Sequence, residues 1–322
     1  MKHNLGSLES SEALIKDLYL GLRKTVGAWS EVTNQTPQAR MGYVGQHLVS
    51  VVTGYPGGKS GARGYDLIMP GKGFGEIKTC YRVDQLGSCK KCGAGVSSLE
   101  FKCASCESTQ VIRKDDSKWL LSIKTDADFA AVLEPISYYF VLFEFEDLFD
   151  ASNQNIIASI WEVDPRSLGF ALCMADYKIN IQSNSKSSAP FNLWPFSTKF
   201  YLMKPILVYR SLIGVDSVKT EIFPNEAGKP IIEVLPDIGD LLRKRTLTLE
   251  SIQNSILELG GKLGGSEDKR VLADSLQKLR ATVEEQEFLD VVARNVYTPL
   301  LKGKSHLIPK SVLEAVPFLT TI

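Results

Sequence analysis

Four of the six cysteines in the 322-residue chain fall in two Cys-x-x-Cys pairs. Cys89-Lys90-Lys91-Cys92-Gly93 and Cys103-Ala104-Ser105-Cys106 are separated by ten residues. Zinc needs four soft ligands at tetrahedral corners, and two tight turns that each offer two thiolates supply them. Gly93 stands where such a knuckle turns sharply. A closed four-cysteine site has no open coordination position, so the expected Zn2+ is structural rather than catalytic. The pairs read as a zinc ribbon over residues 86–110, inserted between strands. Lys90 and Lys91 on it are candidate phosphate contacts, tempered by the charge of about −2 that four thiolates and one Zn2+ carry. Cys80 and Cys173 read as small core residues.

The second constellation is acidic. Asp66 closes the run Gly64-Tyr65-Asp66, and ten residues later comes Glu76-Ile77-Lys78. If residues 74–81 form a strand, Glu76 and Lys78 share a face and Ile77 points into the core, because side chains alternate with period two. A preceding strand joined by a short turn lays Asp66 beside them. Two carboxylates hold a hard divalent cation such as Mg2+ through oxygen. Such a cation acidifies a bound water and stabilises a phosphodiester under in-line attack. A neighbouring lysine orients that water and balances the developing charge.

Gly64-x-Asp66 followed by Glu76-x-Lys78 resembles the signature of the PD-(D/E)xK nuclease superfamily, and most closely its type II restriction endonucleases. The resemblance covers about residues 40–165. It implies an α/β fold: a restriction-endonuclease-like core with a central mixed sheet flanked by helices. Asp66, Glu76 and Lys78 then become catalytic residues, and the Ile77 carbonyl becomes a third Mg2+ oxygen. Members often carry Glu on the preceding helix, and here the matching residue is Gln46, which can offer only a neutral oxygen. The implied activity is Mg2+-dependent hydrolysis of specific double-stranded DNA, leaving 5′-phosphate ends, usually by a homodimer. Lys59 and Arg63 become candidate DNA contacts beside the site. The competing reading is a non-catalytic zinc-ribbon protein that binds nucleic acid or serves assembly.

The acidic-x-Lys pattern also occurs at Asp116/Lys118, Asp176/Lys178 and Glu267/Lys269. Asp176-Tyr177-Lys178 is the serious rival, with Asp164 twelve residues before it. No tight hairpin joins those two, however. Thr53-Gly54-Tyr55-Pro56-Gly57-Gly58-Lys59-Ser60 imitates a phosphate loop, but it has Thr53 where glycine is required. His3, His47 and His306 are too scattered to form a catalytic cluster. The aromatic run 191–201 could stack bases, and reads more simply as core.

Positioning these groups falls to a helix over 8–29, with Leu14, Leu18 and Leu22 on one face, and another over 40–52. Strand-like runs follow at Tyr65–Met69 and Phe74–Tyr81, joined by Pro70-Gly71-Lys72-Gly73, which is strong turn chemistry. Further strands are expected at Trp119–Ile123, Ser137–Phe145, Ile156–Val163, Lys204–Tyr209 and Ile231–Leu235. Helices are expected at Asp126–Leu133, 248–259 and 268–297, and a loop over 183–198. Four regions result: an N-terminal helical segment (1–39), the nuclease core (40–180) carrying the ribbon, a loop and strand region suited to DNA recognition (181–236), and a helical C-terminal region (237–322).

Composition fits a soluble globular chain, with 44% hydrophobic and 23% charged residues and 37 Lys+Arg against 37 Asp+Glu. Zero net charge argues against attachment to nucleic acid by bulk electrostatics. The charge is segregated, though: residues 40–124 hold thirteen basic and seven acidic residues, and 126–180 hold two and ten. A polyanion favours the first segment. Neither a membrane span nor a signal peptide is evident, so a cytoplasmic location is expected.

Overall fold

The computed structural model describes residues 3–35, 42–58, 66–98, 100–185, 189–224, 246–265 and 268–322. Lys59, Arg63, the strand expected at Ile231–Leu235 and the N-terminal ends of two expected elements (residues 40–41 and Tyr65) lie outside the described residues. In chain order the helices are α1 (Leu8–Leu14), α2 (Gly21–Thr33), α3 (Gly42–Thr53), α4 (Asp126–Val132), α5 (Leu168–Asp176), α6 (Thr198–Leu202), α7 (Leu249–Glu258), α8 (Lys269–Arg280), α9 (Glu285–Leu301) and α10 (Lys310–Ala315). The strands are β1 (Leu67–Met69), β2 (Gly73–Tyr81), β3 (Gly87–Cys89), β4 (Gly95–Val96), β5 (Val111–Ile112), β6 (Trp119–Leu121), β7 (Ser137–Phe145), β8 (Ile156–Val163), β9 (Phe191–Leu193), β10 (Ile206–Ile213) and β11 (Val218–Ile222).

The chain divides into two compact units. The first comprises Met1–Trp119, Tyr138–Glu162 and Ile206–Ile232. It is an α/β core built on a mixed six-stranded sheet in the order β1-β2-β7-β8-β10-β11, as the resemblance implied. β7 carries SYYFVLFEF and is buried at every position except the half-buried Glu144, so its apolar run serves both faces of a central strand. α1 is capped by Ser7, whose hydroxyl accepts from the Ser10 amide at 3.2 Å. It runs through a π-helical stretch, Ile15–Leu20, into α2, which ends at Asn34 in the left-handed region (φ 55°). The helix expected over 8–29 therefore continues to Thr33. A separate three-stranded sheet, β4-β3-β5, forms the ribbon.

The sheet also extends further than the sequence suggested. β10 reaches Ile213 and turns at Gly214–Ser217 into β11, with Ile213 opposite Val218. In β11 only Val218 is fully buried, so this edge strand lacks the apolar weight that would announce it.

The second unit comprises Leu120–Ser137, Val163–Pro205 and Glu233–Ile322. It holds the β6–β9 ribbon and helices α4 to α10. Three expectations are corrected here. The 183–198 loop contains β9, with Phe191 and Leu193 buried. Helix α5, absent from the sequence reading, is buried at eight of its nine positions, so it has no polar face to mark a helical period. The helix expected over 268–297 is two helices, broken at Ala281–Glu284. The buried row of α8 stops after Leu276; Leu279 and Val283, where a continuous helix would extend it, are only half-buried, and full burial resumes at Phe288.

Asp176-Tyr177-Lys178 is likewise not a strand. It bridges the end of α5 and a π-helical turn, and Lys178 Nζ pairs with Asp126 Oδ1 at 3.0 Å. Phe191, Phe200 and Tyr201 are buried, so those aromatics are core side chains rather than a base-stacking platform.

Candidate active site and zinc site

The β1–β2 hairpin sets the first site. Leu67 lies opposite Gly75, Ile68 opposite Phe74 and Met69 opposite Gly73. The turn closes with the Lys72 amide on the Met69 carbonyl at 2.9 Å, helped by Gly71 at φ 73°. Carried one residue further, the same register puts Asp66 across from Glu76. Asp66 is no longer in the strand, and its carboxylate turns inward to cap β2. Its Oδ2 accepts from the Ile77 amide at 3.0 Å, and its Oδ1 from Gln46 Nε2 at 3.2 Å. Its own carbonyl accepts from Gly58 at 3.1 Å, which fixes the backbone from the other side.

Gln46 arrives on α3. Gly45 lets that helix touch β2, since an added Cβ would meet Thr79 Oγ1 at 2.2 Å. Gly75 performs a similar service on β2, where a Cβ would come within 3.2 Å of the Tyr139 ring. Lys78 Nζ binds Glu76 Oε1 at 2.5 Å, with the two side chains 29% and 17% exposed. Burial raises the Glu76 carboxyl above its ordinary value; Lys78 opposes the rise and Asp66 adds to it. Gln46, Asp66, Ile77, Glu76 and Lys78 are therefore brought to one place.

Tyr138 on β7 was missed by sequence reasoning, which took its strand only as buried. Burial pushes its phenol well above the usual range, with Glu76 and Asp66 adding to the shift. A neutral hydroxyl thus lies within electrostatic range of both carboxylates. Arg82 was missed too. At the far end of β2 it pairs with Asp115 Oδ1 at 2.5 Å and Glu144 Oε2 at 2.9 Å, tying the chain that leaves the ribbon to the sheet.

The oxygen-rich set suits a hard cation. Asp66 keeps spare lone pairs on both oxygens, and Glu76 is a carboxylate that burial leaves in need of positive charge. Gln46 can add a neutral oxygen if its amide turns.

The four cysteines form the second site. Cys89 and Cys106 Sγ are 3.6 Å apart, Cys92 and Cys103 Sγ 3.5 Å, and all four lie within 4.8 Å of one another. A tetrahedron with Zn–S bonds of about 2.3 Å has edges of about 3.8 Å, so the cluster fits zinc. Gly93 takes the left-handed turn expected of it (φ 74°), and Glu107 takes the matching turn after Cys106 (φ 55°). Among the described residues this is the group of three or more Cys, His, Asp or Glu side chains able to hold one ion. Lys90 and Lys91 are exposed on it. Cys80 and Cys173 are buried in the core, where desolvation pushes both thiols up to about 11.

The family model of the MamI restriction endonuclease matches residues 28–229. The chain belongs to the MamI restriction endonuclease family. By family it is a restriction endonuclease of type II, a nuclease whose substrate is DNA. The match spans every residue of both sites and ends before α7. No curated protein and no solved structure matches this MamI family member. Among its described residues, no helix is long and apolar enough to cross a membrane.

Proposed function

We propose that the chain is a Mg2+-dependent restriction endonuclease that hydrolyses both strands of a specific double-stranded DNA sequence, leaves 5′-phosphate ends and works as a homodimer. The observation that carries this reading is the grip of Gln46 and the Ile77 amide on Asp66, directly beside the Glu76–Lys78 pair. Asp66 and Glu76 hold the cation. The Ile77 carbonyl is the third oxygen, because an extended residue sends its amide and carbonyl out of the same edge, and this amide already meets Asp66. When bound there, Mg2+ would supply an acidified water and charge stabilisation at the phosphodiester.

Lys78 orients the attacking water and offsets charge on the phosphate. Gln46 holds the Asp66 carboxylate in place. Lys59 and Arg63 contact phosphates near the site, Lys90 and Lys91 do so from the ribbon, and base readout comes from the 181–236 region. The Zn2+ is structural and the location cytoplasmic.

The test is incubation with plasmid DNA and Mg2+. Discrete fragments are expected with the natural chain and none with Lys78→Ala or Glu76→Ala, while both variants still bind DNA in Ca2+. Bound but uncut DNA throughout would instead identify a non-catalytic zinc-ribbon binding protein.

A further inference from the structure

Tyr43, in the first turn of α3, is 76% exposed. The other described tyrosines are all buried or half-buried. Only one further side chain of α3 is as open to solvent, that of His47. Among the described residues, neither side chain makes a hydrogen bond or a ring contact.

The position of this exposed stripe follows from the helix. Val44, Leu48, Val49 and Val52 are buried, and Gly45 is pressed against Thr79, so these five hold one side of α3 to the core. Tyr43, Gln46 and His47 take the other side, because helix residues three and four apart are surface neighbours with Cβ atoms about 5–6 Å apart. Gln46, the middle member, is the residue whose amide donates to Asp66 Oδ1 at 3.2 Å. Asp66 in turn stands beside the Glu76–Lys78 pair. The exposed stripe of α3 is therefore the rim of the candidate active site and continues its surface. Side chains on a helix lean toward its N-terminus, so Tyr43 reaches outward past Gln46 rather than over the two carboxylates.

The rim has a definite chemistry. From Gly42 to Thr53 the helix contains no Asp, Glu, Lys or Arg, so no carboxylate on it repels a polyanion. What it presents is a phenol O–H with no partner on the described chain. A phosphate oxygen is a charged acceptor, and bonds from such donors to it are about twice as strong as neutral ones. Tyrosine is among the side chains that bind phosphates and so fix a protein's register on a duplex.

We propose that Tyr43 is a DNA-backbone contact at the rim of the active site, its hydroxyl donating to a phosphate that flanks the scissile one. The proposal rests on the nuclease reading for its ligand and gives that reading a strand-positioning residue. Tyr43 places the DNA and takes no part in the reaction itself.

The test is nitration of the full chain by tetranitromethane in Ca2+, with and without plasmid DNA, followed by peptide mass spectrometry. Tyr43 should be nitrated readily in the free chain and several-fold more slowly with DNA bound. Tyr43→Phe removes only an exposed hydroxyl, so its melting temperature should match that of the natural chain. It should nevertheless weaken DNA binding in Ca2+ by about tenfold, and in Mg2+ it should raise KM more than it lowers kcat. Plasmid that is bound and cut while Tyr43 stays fully reactive overturns the proposal and leaves the nuclease reading standing. So does unchanged DNA affinity in Tyr43→Phe. Protection of Tyr43 by DNA that is never cut sustains the contact and removes the nuclease reading instead. Shielding of Tyr43 without DNA, growing with protein concentration, would assign the rim to a second copy of the chain and overturn the proposal. Absence of any DNA binding overturns both.

Discussion

Gly45 lies so close to Thr79 that a Cβ on it would fall 2.2 Å from Oγ1 and 2.8 Å from Cγ2. Helix α3 therefore meets β2 with no room for a side chain. The neighbour of Gly45 is Gln46, and two residues before Thr79 is Ile77, the two residues that grip Asp66. Gly45→Ala is expected to push the helix away, at a cost of about 1–3 kcal/mol. The cleavage rate should fall as the Gln46–Asp66 bond stretches, and Thr79→Ala in the same chain should recover part of both losses. Thermal melting and plasmid cleavage check this, and an unchanged melting temperature would refute it.

Gln46 donates to Asp66 as a neutral amide at 3.2 Å. Gln46→Glu puts a second negative charge at that distance, and like charges so close raise the pKa of one partner. The acid limb of the pH–rate profile should move to higher pH. Gln46→Ala should lower the rate by about ten- to a hundredfold through loss of orientation, without moving that limb. Superimposable profiles for natural chain and Gln46→Glu would show that residue 46 does not act through Asp66.

Glu76 has its folded pKa raised, with burial as the largest cause. The metal-free folded state therefore prefers Glu76 protonated relative to the unfolded chain. Its contribution is fully present below the ordinary value of 4.5 and is lost as pH rises through the folded pKa. Glu76→Gln should abolish cleavage yet leave the metal-free protein at least as stable at pH 7. Mg2+ should raise the melting temperature of the natural chain and not of the variant. Denaturation with and without Mg2+ checks both statements, and equal Mg2+ stabilisation of the two chains would remove Glu76 from the cation site.

The four thiolates should hold one zinc per chain, measurable by elemental analysis. Cys89→Ser, or a strong chelator, should release it and unfold the ribbon, whose small hydrophobic core is Cys89, Val96 and Cys103. Because Arg82 ties the ribbon's exit to Glu144, some loss should also spread to the sheet. An unchanged metal content in Cys89→Ser would disprove the ribbon.

Local chemistry made much of this legible. Strands Ser137–Phe145 and Ile156–Val163 match their expected limits because both runs are dense in aromatic and β-branched residues. The hairpin that carries Asp66, Glu76 and Lys78 was announced by Pro70-Gly71-Lys72-Gly73. What stayed hidden depends on partners distant in sequence. Helix α5 has no polar face to betray its period, and β11 is paired rather than apolar. Tyr138 becomes part of the site only because β7 pairs with β2. That Gln46 donates to Asp66 follows from the Gly45–Thr79 crossing, which no spacing rule contains. Glu107, in a left-handed turn after Cys106, breaks the glycine rule that Gly93 obeys.

β1 begins at Leu67, opposite Gly75, so the Ile77 amide lies beyond that strand and takes the Asp66 side chain instead. One carboxylate thus finishes a sheet and, under the proposed function, serves chemistry. Experimenters who need a dead enzyme to trap on DNA should leave Asp66 alone, since its removal would fray the edge under study. Under the proposed function, Lys78→Ala should silence the reaction while sparing the scaffold.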